Sequence, residues 1–195
     1  VVYVLFFSHI FYVKTIDVIR QDDTVNYNIT YNSVDKYRYK SIFFLDTNDI
    51  KNSILSYQPN IKTIKIRKIF PSNLKITVWS YDAKAMFAYD EKNYLITQNG
   101  VVVTTTQRED LDVLDIKWLD NVSFLEYKKY FDKQTIEVIS NLLTLVKEKT
   151  PFIEKSKIYY HIKEKELHII DKNWIYFIFD LTKDPQVKIE KLNIF

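Results

Sequence analysis

Between residues 61 and 78 apolar and polar side chains alternate. Ile64 and Ile66 are separated by Lys65, and Leu74, Ile76 and Val78 by Lys75 and Thr77. A period of two belongs to a strand with one buried face, so two strands are predicted here, marked by Ile61 to Ile69 and Leu74 to Val78, with a turn at Pro71-Ser72-Asn73. Upstream the period changes. Ile50, Ile54 and Tyr57 recur at helical spacing, and Leu55 adds to the face. Asp46 or Thr47 supplies the N-cap, Asp49 suits the positive end, and Pro59 stops the helix near Tyr57. A shorter helix is expected over Asn28–Lys36, with Ile29 and Val34 inward. Phe11–Ile19 reads as a strand with Val13, Thr15 and Asp17 on one side and Ile16 and Val18 on the other; Gln21, Asp22 and Asp23 end it. Residues 13–80 thus read β-α-α-β-β, two helices on one face of a three-stranded sheet.

From Ala83 onward the pattern is richer in strands. Met86–Tyr89 and Tyr94–Thr97 flank a turn at Asp90–Asn93, and Asn99-Gly100 signals a hairpin before Val101–Thr105. A long loop carrying Leu111, Leu114, Ile116, Trp118 and Leu119 is expected next. Asp132 then caps a helix over Lys133–Lys149, with Ile136, Ile139, Leu142, Leu143 and Val146 as its apolar stripe. Pro151 ends it. Strands follow at Lys157–Lys163, Glu166–Asp171 and Trp174–Asp180, and Asp184-Pro185 opens a last helix. The expected fold class is α+β: a β-α-α-β-β domain at 14–82, then a β-rich domain at 83–195 with a long helix packed on an antiparallel sheet.

Composition removes whole classes of function. The 195-residue chain has no cysteine, so thiolate metal sites, catalytic cysteines and disulfides are excluded. Gly100 is the single glycine. Phosphate-cradling loops, dinucleotide fingerprints and nucleophile elbows need several, so none can be built here. A net charge of +3 with scattered basic residues gives no strong field for nucleic acid.

Val1–Val13 (VVYVLFFSHIFYV) is apolar and uncharged. Too short to span a bilayer alone, it reads as the end of a truncated transmembrane helix, with Val4, Leu5, Phe6, Phe7, Ile10 and Phe11 as membrane-contacting residues. A buried first strand or a signal-peptide core is the alternative.

Converging polar groups are sparse. If Glu164-Lys165 is a two-residue turn, His161 and His168 face each other, with Glu166 as the only nearby third ligand; a solvent-facing pair, with Glu166 bound to Lys163, is the plainer reading. No spacing ties a nucleophile to a base, so no catalytic, cofactor-binding or metal residues are assigned.

The segment IRKIFPSNLKITVWSYDAKAMFAY, Ile66–Tyr89, resembles the end of the POTRA domain and its continuation in the FtsQ/DivIB division proteins. Arg67 and Lys68 match a basic pair, Phe70-Pro71 an aromatic-proline turn, Leu74 and Ile76 the following strand, and Ala85 an alanine beyond it. SIFFLDTNDIKNSIL resembles the approach to the second POTRA helix, and YLITQNGVVV resembles a later hairpin. Departures fall at Ser80 and Ala83, where the family usually has Glu and Pro, at Thr97 in place of Asp, and at Gln21-Asp22 in place of a glycine. In the family a final strand carries the main partner contact by edge addition, and the chain is expected to end before it.

The resemblance implies a non-catalytic, single-pass scaffold at the division septum, its bulk outside the cytoplasm. Its partners would be single-span coiled-coil proteins of the FtsB/DivIC and FtsL kinds, with no cofactor, nucleic acid or small-molecule substrate. Candidate partner residues are Arg67, Lys68, Phe70, Trp174, Tyr176 and Ile178. For Arg67 and Lys68 a solvated edge is the competing reading, and for Phe70-Pro71 a structural turn. Trp174–Phe179 (WIYFIF) is apolar on both faces and reads first as a central strand covered on both sides. A POTRA-bearing protein of envelope assembly or secretion is the alternative.

Overall fold

The computed structural model describes residues 8–89, 92–105, 114–115, 117–118, 124–149, 157–161, 163–170 and 176–183. The fold is mixed α+β, with strands dominating. It divides into two units, Val1–Tyr81 and Asp82–Phe195.

The first unit runs β1 (Thr15–Arg20), α1 (Tyr27–Asp35), α2 (Thr47–Tyr57), β2 (Ile61–Ile69) and β3 (Asn73–Ser80). The sheet order is β1-β3-β2, with β1 parallel and β2 antiparallel to β3. The central position of β3 explains its clean alternation: Leu74, Ile76 and Val78 are fully buried, and Lys75 and Thr77 are not. They share a core with Ile16, Val18, Val34, Ile42, Ile50 and Ile54. The Phe70–Pro71 peptide bond is cis, and Asn73 already belongs to β3.

Several expectations about this unit need correction. The first strand starts at Thr15, not Phe11. Ser8 is extended and caps a 3-10 turn at His9–Phe11. Tyr12 bridges to Ser41, and Val13 exchanges backbone hydrogen bonds with Lys40 and Tyr39. This pairing, outside the sheet, turns Val13 into the core rather than onto the Thr15–Asp17 face. In α1 the buried positions are Thr30, Ser33 and Val34, whereas Ile29 is half-buried. Small side chains suit the close approach of the two helices, where the Ser53 hydroxyl donates to the Ser33 carbonyl at 2.8 Å. Leu55 and Tyr57 are exposed because Gln58, fully buried, occupies the inward position that closes α2.

Gln58 also holds the start of α1. Asn26 caps that helix through Ile29 N–H, and the Gln58 amide grips Asn26 in turn. Its nitrogen donates to Asn26 O (2.9 Å) and Thr30 Oγ1 (2.6 Å), and its oxygen accepts from Asn26 N–H (2.8 Å). All of these groups are thereby satisfied inside the protein.

Among the described residues, the second unit contains β4 (Ala83–Tyr89), β5 (Lys92–Thr97), β6 (Val102–Thr105), β7 (Leu114–Asp115), β8 (Lys117–Trp118), α3 (Lys133–Lys149), β9 (Lys157–His161), β10 (Glu166–Ile170) and β11 (Tyr176–Asp180). These strands form two four-stranded sheets, β6-β5-β4-β7 and β11-β10-β9-β8. The region expected as a long loop contains β7 and β8. The first pairs parallel with β4 and the second parallel with β9, so one short stretch contributes to both sheets. Two-residue strands have too little pattern of their own to be legible; the neighbours they pair with define them.

The main core of the second unit joins Phe87, Ile96 and Val102 to Ile136, Ile139 and Leu142 of α3 and to Leu167, Ile169 and Phe179. The Asp132 carboxylate accepts from Thr135 N–H at 2.6 Å, which with the Thr135 hydroxyl holds Asp132 below the usual carboxylate range against some burial. Gly100 has φ +82°, and a Cβ there would lie 1.9 Å from Phe131 O. The expected side-chain positions of Leu143 and Val146, the turn at Asp90, Pro151 and the helix at Asp184-Pro185 lie outside the described residues.

Candidate partner interface

Strand β11 pairs with β10 and stands at the end of its sheet among the described residues. The expectation of a strand covered on both faces is corrected by its exposed side chains. Phe179 is buried and Phe177 packs on the core, as the period of two demands. Tyr176 and Ile178, on the opposite face, are 57% and 51% exposed. Trp174 lies outside the described residues. An edge strand of this kind presents backbone N–H and C=O groups that an extended segment can pair with, while exposed side chains beside it give selectivity.

The face carrying Tyr176 and Ile178 continues across the sheet. Ile178 lies opposite His168 and Tyr176 opposite Ile170; beyond them His168 lies opposite Tyr159, and His161 opposite Glu166. The two histidines are thus diagonal neighbours, not directly opposed. The connection is longer than the expected two-residue turn, with Lys165 in the left-handed region at φ 55°, and the register moves by two residues. Their rings still meet at 4.3 Å. Glu166 bonds His168 Nε2 at 2.9 Å instead of pairing with Lys163. Among the described residues no three His, Cys, Asp or Glu side chains are grouped to hold a metal ion.

Asp180 ends β11. Hydrogen bonds from the Thr182 hydroxyl, from Lys183 and from Thr182 N–H lower its pKa to about 2. The turn that terminates the edge is therefore fixed by a carboxylate that stays ionised at neutral pH.

The other candidate residues lie in the first unit, along β2 and the turn after it. Arg67 is exposed, as a solvated edge would be. Lys68 instead folds back, its Nζ donating to Phe43 O at 3.3 Å. Phe70 is exposed on one side and meets the Phe43 ring at 5.1 Å on the other. Phe43 in turn contacts Phe11 at 4.9 Å. The Phe70-Pro71 turn is thus tied to the loop between the helices and to the incoming chain. Sequence reasoning missed Phe43, because nothing in SIFFLD marks which aromatic meets a turn nearly thirty residues away.

Of the residues expected in a membrane helix, Val4, Leu5, Phe6 and Phe7 lie outside the described residues. Ile10 is exposed, whereas Phe11 is folded into the first unit, its carbonyl accepting from Ile42 N–H. No helix among the described residues is long and apolar enough to cross a membrane.

Comparison with protein families places the first unit. The description "POTRA domain, FtsQ-type" matches residues 11–79, close to the span of its β-α-α-β-β core. No curated protein matches the chain. POTRA domains are generally non-catalytic scaffolds, and the FtsQ type points to division and to protein–protein interaction there. Residues 11–79 match the FtsQ-type POTRA domain, which supports an FtsQ/DivIB-like POTRA-containing protein.

Proposed function

We propose that this protein is a membrane-anchored scaffold of the bacterial division septum, with its two units outside the cytoplasm, and that it recruits single-span coiled-coil division proteins without turning over a substrate. The match of residues 11–79 to the FtsQ-type POTRA domain carries the reading. The apolar run at residues 1–7 is the end of the anchor in this account, and β11 supplies the surface that pairs with a partner strand. Its exposed Tyr176 and Ile178 give the added strand apolar contacts on one face.

In-cell photocrosslinking tests the mechanism. A crosslinker at Tyr176 or Ile178 is expected to capture the host's FtsB/DivIC-like or FtsL-like protein, whereas one at Asn52, on the exposed side of α2, is not. Capture of neither protein from the β11 positions would contradict strand addition at this edge.

A further inference from the structure

The sheet of the POTRA-type unit carries α1 and α2 on one face. Leu74, Ile76 and Val78 of β3 share a core there with Val34 of α1 and with Ile50 and Ile54 of α2. The side chains of the opposite face follow from the period of two, and the pairing register fixes which of them meet. Lys65 lies opposite Thr77, and Arg67 opposite Lys75, whose other neighbour is Asp17 of β1. Trp79, half-buried, is diagonal to Lys65.

This second face is cationic. Lys65 and Arg67 are exposed, and Lys75 is partly exposed. Among the described residues none of the three takes part in an ion pair. Asp17 is the one carboxylate at the outward positions of these strands, so three cations against one carboxylate leave an excess of two. Arg67 and Lys75 place like charges on Cβ atoms about 5 Å apart, an arrangement that costs stability. Cations on β2, at the end of its sheet among the described residues, are accounted for by protection of an edge. Lys75 is on the central strand, where that protection has no purpose. Edge protection therefore accounts for only part of the cluster.

We infer that this face receives an acidic helix of the coiled-coil partner, with carboxylates on Lys65, Arg67 and Lys75 and an apolar side chain against Trp79. The inference rests on the scaffold reading, which supplies the helical partner, and adds to β11 a second contact on the first unit. Charge complementarity selects an acidic segment. The spacing suits a helix. Lys65 and Arg67 stand about 7 Å apart along β2, and Arg67 and Lys75 about 5 Å apart across the strands. Carboxylates one helical turn apart, on Cβ atoms roughly 5–6 Å from each other, reach such a set through long side chains. A helix laid here would also cover the second face of the sheet as α1 and α2 cover the first. The middle of the face is polar, with Thr77 among the cations, so it has little to insert into a lipid surface.

In-cell photocrosslinking with the full-length protein tests this docking. A crosslinker at Thr77 is expected to capture the host's FtsB/DivIC-like or FtsL-like protein, and mass spectrometry should map the adduct to a segment rich in Asp and Glu. Lys65→Glu/Arg67→Glu should cut that capture by about tenfold, while capture from Tyr176 persists. The reversal puts an opposite charge across from Lys75, so the purified variant should keep or raise the wild-type urea midpoint. Should the midpoint fall, Lys75→Gln takes its place and should reduce capture by about threefold. Capture at Thr77 that is indifferent to these substitutions, or an adduct with lipid or with a segment free of acidic residues, would overturn the inference. Capture at Tyr176 and none at Thr77 would overturn it and leave the scaffold reading standing. No capture at either position would count against both.

Discussion

The carboxylate of Asp22 accepts hydrogen bonds from both the backbone N–H (2.8 Å) and the hydroxyl (2.7 Å) of Ser80. These are two of the positions at which the sequence departs from the family's usual residues. Thr24 donates to the same carboxylate at 2.6 Å. The end of β1 is thereby locked to the end of β3, immediately before the boundary at Asp82. Substituting one of the pair leaves the other's polar group unmatched.

Asp22→Ala is expected to lower stability by about 1–2 kcal/mol, the usual range for orphaning a half-buried donor. Burial raises the pKa of Asp22, but its hydrogen bonds from Ser80 and Thr24 outweigh that and leave it lowered. A carboxyl depressed on folding stabilises the protein above its unfolded pKa, and the benefit fades as pH falls towards its folded value. Urea unfolding at pH 7 and at progressively lower pH should therefore show a gap between wild type and variant that narrows in acid. A gap that widens on acidification would contradict the assignment.

At Gly100 two requirements coincide: a positive φ, and no space beside the Phe131 carbonyl. Gly100→Ala must move the backbone at residue 131, at the start of the approach to α3. A loss of at least about 3 kcal/mol, or failure to fold the second unit, is expected. Near-wild-type urea stability would show that the hairpin and Phe131 are not packed in this way.

The Gln58 clasp predicts a local effect. Gln58→Leu keeps most of the volume but leaves Asn26 N–H without its acceptor, while Asn26 O and the Thr30 hydroxyl keep each other, at a cost of about 1–3 kcal/mol. Hydrogen exchange should quicken first in the opening turn of α1. Uniform acceleration across the unit, with α1 no worse than β3, would argue that the clasp is incidental.

Tyr176 and Ile178 are exposed, so Tyr176→Lys/Ile178→Lys should change stability by no more than about 0.5 kcal/mol per site. The same double variant should abolish capture of the coiled-coil partner in a pull-down. Retained capture would remove β11 as the docking edge.

Much of the POTRA-type unit was legible because its strands alternate and its second helix carries a cap and an apolar stripe. Ile50, Ile54, Leu74, Ile76 and Val78 all reach the core expected of them. The failures share a cause. Val13, Gln58 and Phe43 are placed by residues distant in sequence, and their own neighbours carry no signal of those partners. WIYFIF reads as a strand covered on both sides because both its faces are apolar, whereas Tyr176 and Ile178 are exposed and β11 ends its sheet among the described residues. The histidine register failed on loop length, since a connection two residues longer keeps the same face but changes each partner.

The central claim, a division scaffold, is tested most directly by fluorescence microscopy of the full-length gene product, tagged at its cytoplasmic end, in dividing cells of its host. A midcell band that appears with constriction is expected. Uniform envelope signal, together with normal division after depletion, would contradict the account.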